Sequence, residues 1–323
     1  MSETAQKFLM LGYGIAAFAA VVGVILLLAD VAPKRGRDKI QIALFMRPAL
    51  LLVTIGLIIP AVRTSILAFK DDYGQEWVGL ANFSWLFSDP NIRTVLRNTA
   101  IWVGVAPFAA TAIGLLYAIL VDKSRFESYY KALVFLPMAI SMVGASIIWR
   151  FVYDYRETQG GQIGLLNRIL TGIGVQPHAF VTDPPWNTFY LIVILIWIQA
   201  GFAMVVLSAA IKGIPADIVE AARLDGVNPL QMFFRITLPS IRSSVVVVYI
   251  TILITTLKVF DIVRTMSGGT FQASVIANEM YDQVFVQNQD GQGFALAVFL
   301  FLLVIPVVIY QVRMLRRQRL EAR

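Results

Sequence analysis

Seven apolar runs, each long enough to cross a bilayer, constrain this chain more than any other feature of its sequence. They fall at 9–28, about 48–68, 98–121, 133–153, 189–211, 242–262 and 293–312. A hydrocarbon core about 30 Å thick needs roughly 20 apolar residues in a helix. In lipid each backbone N–H and C=O must bond within its own element, so runs of this length are helices. The chain is 58% hydrophobic, above the roughly 45–50% of soluble domains. The expected fold class is all-α, a polytopic membrane protein of about seven transmembrane helices. A signal peptide competes for the first run, which follows Lys7. That run is longer than a usual signal core, and Lys34, Arg35, Arg37 and Lys39 behind it stop translocation. It reads as a retained span.

Orientation follows from the basic residues. With the amino terminus outside, the cytoplasmic pieces are 30–47, 122–131, 212–242 and 313–323, and they hold 17 of the 27 lysines and arginines. The flipped arrangement would put Arg313, Arg316, Arg317, Arg319 and Arg323 outside, against the positive-inside rule. The expected topology is amino terminus out and carboxyl terminus in. The net charge of +7 therefore marks topology, and no nucleic-acid partner is expected. Tyr73, Trp77, Trp85, Phe87, Trp186, Tyr281 and Phe285 lie in the outer loops, where aromatics mark the membrane–water interface or touch an external protein.

The stretch 214–239 interrupts the apolar pattern with a different one. Pro215 opens a helix, since its missing N–H has no partner there anyway. Asp217 suits the positive end of that helix. Ile218, Val219 and Ala222 share a face, with Glu220 and Arg223 on another. Gly226 is a left-handed helix stop. Asn228-Pro229 restarts as cap and first helical residue, and Leu230, Phe233 and Phe234 carry a second apolar stripe that Leu238-Pro239 ends. The reading is two short amphipathic helices joined by a glycine corner.

Several chemistries are absent from the sequence. No Gly-x-x-x-x-Gly-Lys-Ser/Thr occurs, so no phosphate loop is expected; Lys123-Ser124 follows Asp122 with no glycine. Gly160-Gly161-Gln162-Ile163-Gly164-Leu165-Leu166-Asn167 reads as a loop. There is no cysteine, and the only histidine is His178, so no metal site is expected.

Polar groups inside spans are costly and point to function. Arg63 and Arg150 lie near span ends and can snorkel. Lys258 and Asp261 lie late in the sixth span at i,i+3, one face of a helix, beside Thr255 and Thr256. They are either a self-satisfied ion pair or one wall of a wet cavity. Gln199 is a lone amide in the fifth span, between Trp197 and Phe202, which offer flat apolar faces. Leu136-Pro137-Met138-Ala139-Ile140-Ser141-Met142 sets a proline kink beside a hydroxyl, for helix packing or for a ligand.

The pattern Glu220-Ala221-Ala222-x-x-Asp225-Gly226 followed by Ile236-x-Leu238-Pro239 resembles the EAA loop of ABC importer permeases, which docks in a cleft of the ATPase subunit. Val78-Gly79-Leu80-Ala81-Asn82-Phe83, Arg97-Asn98-Thr99, Leu136-Pro137, Trp197 with Gly201-Phe202, Phe260-Asp261 with Gly268-Gly269, and Gly293-Phe294-Ala295-Leu296-Ala297 resemble the maltose-type carbohydrate branch, over roughly 45–315. The resemblance implies an added first helix and basic linker (1–44), a six-helix permease core (45–323) and a cytoplasmic EAA loop at 212–242. By motif, Met138, Met142, Ile198, Gln199, Phe202, Leu257 and Lys258 match a mid-membrane sugar site, and Ser141, Trp197 and Asp261 join them as candidates. Methionines stand where the family has tyrosine and serine, and Lys258 where it has an amide, so the match bears on the site's place and not on its sugar. Glu220, Ala221, Ala222, Asp225, Gly226 and Phe233 are the candidate ATPase-coupling residues.

The function expected is a non-catalytic permease subunit of an ATP-driven importer in a bacterial inner membrane, working by alternating access on an oligosaccharide such as an α-glucoside. The resemblance implies a second permease as heterodimer partner, an ATPase dimer carrying ATP and Mg, and an extracytoplasmic sugar-binding protein. No cofactor is expected on this chain. The alternatives are an ion-coupled secondary transporter using Lys258 and Asp261, and a membrane-embedded enzyme, for which no acidic pair or ligand cluster is present.

Overall fold

A computed structural model describes residues 3–31, 37–122, 124–157 and 161–321. Lys123 and Gly160 lie outside the described residues. Among these residues no strand forms; one bridge joins Lys70 to Trp77. The chain divides into two compact units, Met1–Ile66 and Leu67–Arg323.

The first unit holds α1 (Glu3–Val31), α2 (Arg37–Val53), a π-helical turn (Thr54–Ile58) and most of α3 (Ile59–Leu67). Neither of its two candidate spans, Ala5–Val24 and Phe45–Leu67, has a buried apolar window.

The second unit begins with α4 (Ala81–Ser88) and the long α5 (Pro90–Val121). The fourth expected span is broken. It comprises α6 (Glu127–Phe135), a 3₁₀ turn (Leu136–Ala139) and α7 (Met142–Tyr153), with a bend of 102° between its halves. Next come α8 (Leu165–Gly172), α9 (Trp186–Lys212), α10 (Ala216–Leu224), α11 (Pro229–Gln231), a π segment (Met232–Thr237) and α12 (Leu238–Ser240). The chain ends with α13 (Arg242–Leu257), α14 (Asp261–Ser267), α15 (Ile276–Phe285) and α16 (Asp290–Glu321). Among the described residues, five helices are long and apolar enough to span a membrane, or up to seven if each of two bent pairs is one span. The seven expected spans require each bent pair to cross once.

Three expectations are corrected. The sixth span does not run to residue 262: α13 stops at Leu257, and a 70° bend precedes it. The glycine-rich loop gives way to α8 at Leu165, with Gly164 at its amino end. Pro239 does not end the coupling helix but sits inside its last turn. A proline ring clashes with the carbonyl four residues back. Here that carbonyl belongs to Arg235, inside the π segment, whose wider turn moves it aside. Pro60 repeats the device behind Thr54–Ile58.

The centre of the second unit is α9. Two-thirds of its apolar window is buried, against 33% for α5 and 17% for α16. Small residues let its backbone approach its neighbours, the usual membrane solution. A Cβ on Gly114 of α5 would lie 2.3 Å from the Ala203 Cβ of α9. A Cβ on Gly201 of α9 would lie 2.4 Å from the Val134 carbonyl oxygen of α6. The largest core cluster joins α5, α7, α9 and α14 through Trp102, Ala145, Leu195, Ile198 and Ile262.

Polar pins hold the other pieces. Asn98 Nδ2 donates to the carbonyls of Gln272 and Ser274, at 2.6 and 3.1 Å, and the Ile276 N–H donates to Thr99 Oγ1 at 3.0 Å. Asn82 Nδ2 donates to the Ala68 and Lys70 carbonyls. The stretches singled out by resemblance around Asn82, Asn98-Thr99, Gly201 and Gly268-Gly269 are thus joints of the fold. Gly268 and Gly269 both have positive φ, and a Cβ on Gly269 would meet Asn278 Nδ2 at 2.2 Å.

Candidate functional site

The coupling stretch folds as its residues dictate. α10 closes on Gly226 at φ +75°. The Gly226 N–H donates to the Arg223 carbonyl and the Val227 N–H to the Ala222 carbonyl, both at 3.1 Å. These are the two bonds of a Schellman stop, which needs a left-handed residue at the position of Gly226. Asn228 and Gln231 then form a reciprocal capping box around Pro229. Glu220, Ala221, Asp225 and Gly226 are exposed, and Phe233 is half-buried against Phe234 with ring centroids 4.8 Å apart. Ala222 is different: it is buried and works as the packing end of the corner. Leu224, Leu230 and Phe234 stand out at 89%, 71% and 61% exposure. An apolar surface of this kind beside exposed polar groups is the mark of an interaction face.

The candidate solute residues fall on two breaks and one helix. At the first break Ile140 and Ser141 are extended, and Ser141 Oγ accepts from the Gly144 N–H to cap α7. Met138 and Ser141 are exposed, and Met142 packs on the main core cluster. Trp197 reaches this region from α9. Together with Trp149, Val134 and Pro137 it lines a cavity of about 360 Å³, and the two tryptophan rings meet edge-on at 5.8 Å. Gln199 and Phe202 do not join it. Gln199 lies two residues beyond Trp197, about 200° around the helix, and Phe202 packs on a second core cluster.

Ile198 and Leu257, also candidates for the solute site, are buried in this chain. They are 4% and 5% exposed. Ile198 belongs to the core, and Leu257 lines an apolar cavity of about 330 Å³ with Leu96, Phe299 and Leu303.

The expectation that Lys258 and Asp261 share one helix face is also corrected. Lys258 sits past the end of α13, and Asp261 opens α14. No ion pair joins them among the described residues. Each lies at the helix end whose dipole suits its charge, a cation at the carboxyl end and an anion at the amino end. Thr255 and Thr256 do not extend a polar wall. Their hydroxyls donate to the Thr251 and Ile252 carbonyls one turn back.

Sequence reasoning missed a third cavity, of about 610 Å³, lined by Arg150, Tyr153, Asp154, Thr182, Arg264 and Ser267 among others. Arg150, read as a snorkelling anchor, stands at this cavity. Arg264 pairs with Asp282 at 2.6 Å and lies 4.7 Å over the Tyr281 ring. Its place just beyond an apolar run was the available signal.

The family model described as the binding-protein-dependent transport system inner membrane component matches residues 110–320. The alpha-glucoside transport system permease protein AglF of Rhizobium meliloti is 47% identical over 282 residues, which cover 87% of this chain and 84% of that one. The osmoprotective compounds uptake permease protein GgtC of Synechocystis is 46% identical, covering 85% and 99%. A solved bacterial ABC transporter involved in the import of the acidic polysaccharide alginate aligns with TM-score 0.76 at 26% identity, over 88% of this chain and 98% of that one. The exposed corner on Gly226, the broken spans and the α9 core therefore sit in a chain that belongs to the binding-protein-dependent transport system inner membrane component family, as a non-catalytic permease subunit of an ABC importer.

Proposed function

We propose that this permease carries an oligosaccharide of the α-glucoside class across a bacterial inner membrane. The observation behind this reading is the 47% identity to an alpha-glucoside permease over 87% of the chain. The aromatic cavity between Trp149 and Trp197, beside the Met138–Ser141 break, supports a path for a ligand with apolar ring faces. Gln199, Phe202, Lys258 and Asp261 lie on other surfaces of the chain. A second permease, with which this one forms a heterodimer, would gather them around one solute.

The chain itself needs no cofactor for this role. ATP and Mg act on an ATPase dimer, whose cleft receives Glu220 and the apolar knobs Leu224, Leu230 and Phe234. Closure of that dimer turns the cavity outward, toward an extracytoplasmic binding protein that delivers the sugar. The amino terminus lies outside and the carboxyl terminus inside, with residues 1–44 as an added helix and linker on a core of 45–323. No observation favours ion coupling through Lys258 and Asp261.

The test is reconstitution of the permease with its co-encoded ATPase, second permease and binding protein in liposomes. Uptake of labelled α-glucosides that requires internal ATP, with stimulation of ATP hydrolysis by the loaded binding protein, is the expected result. Uptake driven by a sodium or proton gradient without ATP would refute the reading.

A further inference from the structure

At the foot of α9, next to the coupling stretch, three helix ends meet in one charged cluster. Asp122 caps the carboxyl end of α5, Glu127 lies in the first turn of α6, and Lys212 is the last residue of α9. Glu127 Oε1 accepts from both Lys131 Nζ and Lys212 Nζ at 2.5 Å. Asp122 Oδ1 lies 3.6 Å from each of the same two ammonium groups. Ser208, buried on α9, accepts from Lys131 Nζ and donates to Asp122 Oδ1 at 3.2 Å.

A single exposed ion pair holds little. This cluster differs, because each charge serves two opposite partners and Ser208 threads the network into the core. It also offsets a local cost. An anion at the carboxyl end of α5 is disfavoured by the helix dipole, and two ammonium groups and a hydroxyl answer it.

The cluster has a mechanical consequence. Farther along, the same two helices touch again where Gly201 meets the Val134 carbonyl with no room for a Cβ. So α6 and α9 are joined at two points, one polar and one steric. Gly213 and Pro215 connect the foot of α9 directly to α10, and the far end of α6 runs straight into Leu136–Ala139 and the Ile140–Ser141 break. We propose that Asp122, Glu127, Lys131, Ser208 and Lys212 form a clamp that makes α6 and α9 one rigid lever. Motion of the coupling stretch then reaches the broken span beside the aromatic cavity. This inference rests on the permease reading, and these five are positioning residues that touch neither solute nor nucleotide.

The full reconstituted complex tests it. Lys212→Glu sets two carboxylates against Asp122 and should cut uptake about tenfold while ATP hydrolysis stays within about twofold, so more ATP is spent per sugar. The exchange Glu127→Lys with Lys212→Glu keeps the same charges in the cluster and should restore at least half of the uptake. A purely structural role would lower assembled complex, uptake and hydrolysis together, with their ratio unchanged, and that outcome overturns the proposal. The chain has no native cysteine. Glu127→Cys with Lys212→Cys can therefore be bridged by a short bifunctional maleimide in the assembled complex. A lever predicts that bridging preserves or restores uptake. Loss of uptake on bridging alone would mean that the two ends must part during transport, and would overturn the lever. If the wild-type complex shows no ATP-dependent uptake, the permease reading and the lever fail together; normal wild-type uptake with an unaltered Lys212→Glu ratio overturns the lever alone.

Discussion

Gly226 offers a clean perturbation, because strain and steric clash separate there. Its φ is +75°, and a Cβ built on it meets nothing within 4 Å. Within this chain, the loss expected for Gly226→Ala is therefore backbone cost. An ordinary L-residue in the left-handed region costs roughly 1–2 kcal/mol, with Asn the best tolerated. That cost corresponds to a factor of about 5–30 in the population of the corner. The two bonds of the helix stop, from the Gly226 and Val227 N–H groups, depend on that geometry. Gly226→Asn, Gly226→Ala and Gly226→Val should thus form a series of rising damage. The assay is co-purification of the ATPase with the permease, alongside ATP-dependent uptake. Gly226→Asn should stay close to wild type, and Gly226→Val should weaken ATPase retention by about the population factor while the chain still inserts. Normal uptake by Gly226→Val at wild-type abundance would refute the reasoning. So would Asn and Val failing equally, since the cost would then not be conformational.

Further outcomes are expected. An impermeant thiol reagent outside the cell should label a cysteine at Ser2 and spare one at Gln318; the reverse labelling would overturn the proposed orientation. Gln199→Ala and Lys258→Ala should weaken or redirect uptake while ATPase binding is kept. Lys258→Met combined with Asp261→Leu should impair uptake as well; survival of uptake and substrate range in the double variant would show Lys258 to be no part of the solute site. Gly201→Ala drives a Cβ to 2.4 Å from the Val134 carbonyl oxygen, an overpacking worth roughly 1–3 kcal/mol, and should lower the thermal midpoint of the purified complex; an unchanged midpoint would mean that α6 yields freely.

The local chemistry of the coupling stretch was legible because capping acts over a few residues. Asn228 and Gly226 do their work on N–H groups within three positions of themselves, or on bonds from the next residue. The solute site was much less legible. Ile198 and Gln199 are neighbours in sequence, yet one is core and the other is not. Thr255 and Thr256 look like an open polar patch until their hydroxyls are found bonded within α13. The i,i+3 reading of Lys258 and Asp261 presumed an unbroken helix, and the chain stops being helical between them.

The sequence by itself determined that this chain is helical, that it carries several stretches able to span a membrane, and that 214–239 is a pair of short helices with a glycine corner. Backbone groups in lipid must be satisfied within their own segment, so length and apolarity are enough to specify a span. Only the tertiary structure decided which helix is central, where spans break, and which charges meet. Lipid and helix interior are equally apolar, so a hydrophobic pattern in a membrane does not mark the buried face. That face is set by close packing instead, at Gly114 on Ala203 and at Gly201 on the α6 backbone, and by polar groups from distant positions such as Asp122, Glu127 and Lys212 finding one another.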